Sequence, residues 1–126
     1  MAEENGGGSK LVKLEDFDGE LEEYWQDARG SKVFDRNGDE IGTVDDLYVY
    51  EDASAVHLLK VEVEGRSFLV PVDAVTSVSE DGVEVEQGKG TITDSPEYDS
   101  EDVPDSKTSR EVFTHYGYTD QLNLGG

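Results

Sequence analysis

Between residues 30 and 87 the apolar and polar positions alternate in short runs, each bounded by Gly, Pro, Asp or Ser, which predicts closely spaced β-strands rather than helices. A first strand, Ser31 to Asp35, leads through Asn37-Gly38 into a second, Glu40 to Tyr50. The third runs from Ala55 to Glu64, with His57, Leu59, Val61 and Val63 on one face and Lys60, Glu62 and Glu64 on the other, the pattern of a half-buried strand. Gly65 turns the chain into Ser67 to Val72, whose Pro71 suits a strand end or edge. Thr76 to Ser79 and Val83 to Glu86 complete the set, joined through Asp81-Gly82. Asn37, Gly38, Gly42, Gly65, Pro71 and Gly82 are the positions expected to shape the turns. Six short strands with hairpin connections hide their edges most economically by closing into a small β-barrel, so the expected class is mainly β.

The flanks lack this alternation. Residues 1–10 are polar and Gly-rich and are expected to be disordered. Residues 11–28 carry Leu14, Phe17, Leu21, Tyr24 and Trp25 at a spacing that suits a short helix, but Gly19 and the density of acids argue for an arm packed on the barrel through Phe17, Leu21 and Trp25. Residues 88–107 are acidic, contain two prolines and have no periodicity, which predicts an extended, solvated connector. A capping box, Thr108 to Glu111, then opens a short helix over 108–117 that Gly117 stops, followed by a flexible tail over 118–126. Val112, Phe113 and Tyr116 form its apolar stripe, which must pack on the barrel or on a partner, because so short a helix does not hold in isolation.

Charge changes the picture of what such a domain could meet. The chain has 126 residues, ten basic against 31 acidic, for a formal charge of −21. That field repels phosphate backbones and anionic lipid surfaces, so neither direct nucleic-acid binding nor membrane insertion is expected, and a protein partner with a basic surface is the electrostatically easy choice. With no cysteine, disulfides, thiolate catalysis and sulfur-ligated metals are excluded. No apolar run approaches the ~20 residues that a spanning helix needs, and the N-terminus has no basic and apolar leader regions, so the expected location is cytoplasmic.

The stretch Asp35-Arg36-Asn37-Gly38-Asp39-Glu40 admits two chemical readings. Asp35, Asn37 and Asp39 match the first oxygen ligands of a twelve-residue calcium loop. The second half of that motif fails: Glu40 stands where a turn glycine belongs, and Asp46 where a bidentate glutamate belongs. Asn-Gly instead supplies both positive-φ positions of a type I′ hairpin turn, and the flanks KVF and IGTV read as strands. The remaining acid clusters, His57 and His115 form no recognisable catalytic or metal constellation, so neither an enzyme nor a bound cofactor is expected. Tyr48, Tyr50, Phe68, Phe113 and Tyr116, with Tyr118 beyond them, are candidates to pave a partner surface, with core packing as the other reading.

The segment RGSKVFDRNGDEIGTVDDLYVYEDASAVHLLKVEVEGRSFLVPVDAV resembles the PRC-barrel domain, which takes its name from the cytoplasmic domain of the photosynthetic reaction-centre H subunit. The resemblance rests on Gly30, Val33, Asp35, Gly38, Ile41-Gly42, Val44, Asp46-Leu47 and Val49, then on Val56 to Leu59 and on Leu69 to Pro71, and covers residues 29–87. It implies a six-stranded barrel with a helix near its C-terminus, no active site shared across the family, and an assembly or docking role. In the H subunit the domain caps a membrane complex and helps feed protons inward; in a ribosome maturation factor a related domain grips a basic ribosomal protein. The sequence carries neither the membrane-spanning N-terminal helix of the first nor the second barrel of the second. The expectation is therefore a non-catalytic interaction module that binds a protein partner or a second copy of itself. An H-subunit-like component supporting proton or electron transfer is the alternative, and calcium binding at the Asp35–Asp39 turn a further one.

Overall fold

The computed structural model describes residues 11–17, 19, 21, 23–51, 55–98 and 102–117. The expectations for residues 1–10 and 118–126, Tyr118 included, lie outside these. Seven strands form one sheet: β1 (Leu11–Lys13), β2 (Lys32–Phe34), β3 (Glu40–Tyr50), β4 (Ala55–Val63), β5 (Arg66–Pro71), β6 (Val75–Ser79) and β7 (Gly82–Val85). Their order is β5-β4-β3-β2-β7-β6, with β1 added beside β3. No pairing joins β5 to β6, so hydrogen bonding does not close the sheet into a barrel. The seventh strand is β1, which lies in the arm. Leu11, Val12 and Lys13 pair with Tyr50, Val49 and Tyr48, using an edge of the long β3 strand that the shorter β2 leaves free.

β3 organises the sheet. One edge carries β4 along most of its length, while β2 and β1 share the other edge at opposite ends. Cross-strand register stacks Leu47, Leu59 and Val70 on one face, with Val44, Val61 and Phe68 beside them. Tyr48, Leu58 and Pro71 line up on the opposite face, next to Asp46, Lys60 and Leu69. Both faces are covered, so β4 is buried from Val56 through Val61, Lys60 included, rather than half-exposed as its alternation suggests. Register shifts at Val44/Asp46 and Tyr48/Val49 mark bulges in β3, the device by which a sheet bends.

The turns differ from expectation in an instructive way. Among the described residues only Glu64 is a non-glycine with positive φ, so Asn37 is not left-handed and Asn37-Gly38 does not form a type I′ turn. The loop has three residues: Gly38 N–H donates to Asp35 O, Asp35 N–H to Asp39 O, and Gly38 alone is left-handed. The type I′ signature appears at Glu64-Gly65, where φ is 53° and 83°, between the paired Val63 and Arg66. Gly42 sits inside β3 rather than at a turn.

Helices close the ends. α1 (Glu23–Gln26) buries Trp25, and α2 (Lys89–Thr93) buries Ile92. The segment expected to be an extended connector is thus partly helical. Beyond α2 it lies along β5, where Tyr98 N–H donates to Ser67 O at 2.8 Å and Glu97 bridges Phe68. α3 (Ser106–Tyr116) begins one turn earlier than the Thr108 cap predicts. Asp105 is its N-cap, its carboxylate accepting from Thr108 N–H at 2.8 Å, and Gly117 ends the helix at φ 82°. Val112, Phe113 and Tyr116 all turn inward, and the Tyr116 hydroxyl donates to Leu69 O.

Candidate functional site

The rings expected to pave a partner surface do not do so. Tyr48, Phe68, Phe113 and Tyr116 are buried, and Tyr50 is half-buried. His57, also buried, stacks on Phe113 at 4.8 Å between ring centroids, and its Nε2 lies 3.2 Å from the Tyr50 hydroxyl. The stack of Phe113 on His57, with Tyr50 beside it, joins α3 to the sheet, the core role that strand aromatics commonly take. Nor does the Asp35 carboxylate face solvent as an ion ligand. It is buried, and its Oδ1 accepts from Asn37 N–H at 2.9 Å and Asp39 N–H at 3.0 Å. No group of three His, Cys, Asp or Glu side chains among the described residues is arranged to hold a metal ion.

Two other places gather chemistry. The first is a groove of about 540 Å³ between α1 and the β6–β7 turn, lined by Glu23, Tyr24, Asp27, Ser31, Ser79 and Glu80. α1 is short, and its register decides the outcome: Trp25 points into the core, so the adjacent Tyr24 points out. At 47 % exposure Tyr24 is the large hydrophobic side chain left in the open among the described residues. Glu23 and Asp27, one helical turn apart, flank it, and Glu80 faces it from the turn, so among the described residues the lining carries three carboxylates and no cation. An aromatic face surrounded by carboxylates is the chemistry that receives an ammonium or guanidinium group.

The second is a polar cleft of about 450 Å³ on the sheet face that carries Tyr48, lined by Lys13, Glu15, Arg29, Asp45, Asp46, Tyr48, Lys60 and Ser67. The β1–β3 register sets Lys13 across from Tyr48, and the β3–β4 register sets Asp46 across from Lys60. The bulge at Val44/Asp46 departs from simple alternation, and both Asp45 and Asp46 border the cleft. The ion pairs are long: Lys60 to Asp45 at 3.9 Å, Arg29 to Glu15 at 3.6 Å and Arg29 to Asp46 at 3.9 Å. Lys60, 6 % exposed, also lies 5.8 Å from the centre of the Tyr98 ring. Burial, and then the charges of Asp46 and Asp45 with Tyr98 between them in effect, push the Tyr48 phenol well above its ordinary value, so it stays a protonated donor.

Neither place was singled out by sequence reasoning. Tyr24 and Trp25 were joined in one apolar stripe, and only the direction of α1 separates them. Lys60 read as an exposed alternate of β4.

What the architecture defines is a small, mainly β domain built on one curled sheet, with a helix packed against it. The PRC-barrel domain family model matches residues 20–92, more than half of the chain, and the chain belongs to that family. The matched region takes in α1 and ends at Ile92 of α2, so it is wider on both sides than the resemblance traced over residues 29–87. Comparison with curated proteins finds no match. Among the described residues, no helix is long and apolar enough to cross a membrane.

Proposed function

We propose that the protein is a non-catalytic, cytoplasmic interaction module, a domain of the PRC-barrel family that docks a basic segment of a partner protein in the groove between α1 and the β6–β7 turn. The observation that carries this reading is Tyr24, exposed beside Glu23, Asp27 and Glu80. A lysine or arginine laid over the ring would meet the π-face and at least one carboxylate together, which favours a cation over a neutral side chain. The overall charge of −21 supports the same polarity of partner by drawing basic surfaces in at long range.

The test is a titration of the full chain with a short Lys/Arg-rich peptide, followed by amide NMR. Localised, saturable shifts at residues 23–31 and 79–80 are expected, weakened by Tyr24→Ala and by Glu80→Lys. Shifts spread evenly over all acidic segments, or unchanged affinity in Tyr24→Ala, would refute the groove as the docking site.

A further inference from the structure

The Tyr48 hydroxyl is fully buried and makes no hydrogen bond. Buried hydroxyls are nearly always satisfied, so an orphan one at a cleft needs an explanation. Tyr48 is one of the residues that line the cleft, and Asp46 and Asp45, whose charges act on its phenol, line it too. Around this donor the fold gathers Lys13, Arg29 and Lys60, three of the ten basic residues of the whole chain, together with Glu15, Asp45 and Asp46. The local charge is therefore balanced, in a protein whose total is −21.

We infer that this cleft is a binding site for a small zwitterion of the α-amino-acid class, its carboxylate received by the Tyr48 hydroxyl and Lys60 and its ammonium by Glu15 and Asp46. The balance of charges selects such a ligand. A free anion would match the lysines but approach against the field of the whole chain, and a free cation would match the acids while meeting three positive side chains. A molecule carrying both signs has no net charge to be repelled and presents each sign to a prepared partner. The Arg29 pairs with Glu15 and Asp46, at 3.6 and 3.9 Å and from an exposed guanidinium, are loose enough to open onto a ligand at little cost. The acceptor missing from Tyr48 is what the ligand carboxylate supplies.

The experiment titrates the full chain with L-alanine, with acetate and with methylammonium at matched ionic strength, reading the amide signals of Asp45, Asp46, Leu47 and Ser67. Saturable shifts confined to these positions are expected for alanine, with acetate and methylammonium each at least ~10-fold weaker, because each offers one charge where the site answers two. Tyr48→Phe should bind alanine about fivefold to tenfold more weakly, the value of one hydrogen bond, while its urea midpoint does not fall. Lys13→Gln, at the rim, gives a second variant whose folding is not at risk and should also weaken binding. Equal shifts with acetate, no saturable shift with alanine, or unaltered binding in Tyr48→Phe would each overturn the proposal. In the last two cases the hydroxyl serves only a bridging water. Because the cleft and the α1 groove share no lining residue, failure here leaves the docking reading standing, and the converse also holds.

Discussion

Replacing Gly42 by alanine tests the central packing of the sheet. A Cβ at this position would lie 2.2 Å from the Glu62 carbonyl oxygen, 3.0 Å from Val63 Cγ2 and 3.2 Å from the Glu62 carbonyl carbon. Carbon–oxygen contacts this close relax to ~3.3 Å or more, so β3 and β4 must part by about 1 Å at this point. The obstacle is backbone, which cannot swing aside as a side-chain tip would. Overpacking of this kind costs roughly 1–3 kcal/mol, and loss of one ladder hydrogen bond beside the Thr43–Glu62 pair adds ~1 kcal/mol. The expected destabilisation is thus ~2–4 kcal/mol, a large share of the ~5–15 kcal/mol that holds a domain together. Urea unfolding followed by circular dichroism reads it directly: with m near ~1.5 kcal/mol/M, the midpoint should fall by roughly 2 M. Gly90→Ala is the control. It lies in α2 with nothing within 4 Å of its would-be Cβ, so it should gain ~0.5–1 kcal/mol from helix propensity. A Gly42→Ala midpoint within error of the parent, or a Gly90→Ala loss as large as that of Gly42→Ala, would refute the argument.

Asp35→Ala removes the acceptor of two loop amides and should cost ~2 kcal/mol in urea unfolding, whereas Asp35→Asn, which keeps one oxygen, should cost less; equal losses would show that the loop does not depend on those bonds. With a charge of −21, the melting temperature should rise steadily toward ~1 M salt, where the Debye length shrinks to ~3 Å, and a flat response would contradict self-repulsion as the main electrostatic effect. The Asp105 carboxylate is held below its ordinary value of 3.8 by the Thr108 backbone N–H it accepts from. Its folded value being depressed, the stabilisation it gives α3 is complete above 3.8 and is lost as pH falls through the lower folded value. The Thr108 amide shift should therefore titrate below 3.8 in the parent and not in Asp105→Asn; titration at or above 3.8 would contradict the cap.

The strands from β2 to β7 were legible because alternation and turn residues report local geometry. What escaped was set by groups distant in the chain or by competition within a loop. Asn37-Gly38 has the composition of a type I′ turn, but the Asp35 side chain captures the Asn37 and Asp39 amides and settles a three-residue loop instead. Glu64-Gly65 adopts the left-handed pair with no Asn or Asp to announce it. Buried Tyr48 and Phe68 misled as contact rings because alternation tells which residues share a face, not whether that face is covered. The connector looked featureless since, among its described residues, Ile92 is the one fully buried aliphatic side chain, and its pairing with β5 uses backbone atoms that composition does not reveal. Likewise, β1 is three residues whose only strand signal is the edge of β3 that they find.

The run of chain at Glu97 and Tyr98 bonded to β5 does more than cover a hydrophobic row. It occupies the β5 end of the strand path, while at the β6 end no further strand pairs among the described residues. A second copy adding to the β5 edge by backbone pairing would first have to displace this segment, so the edge where fibre-like growth could start is already taken.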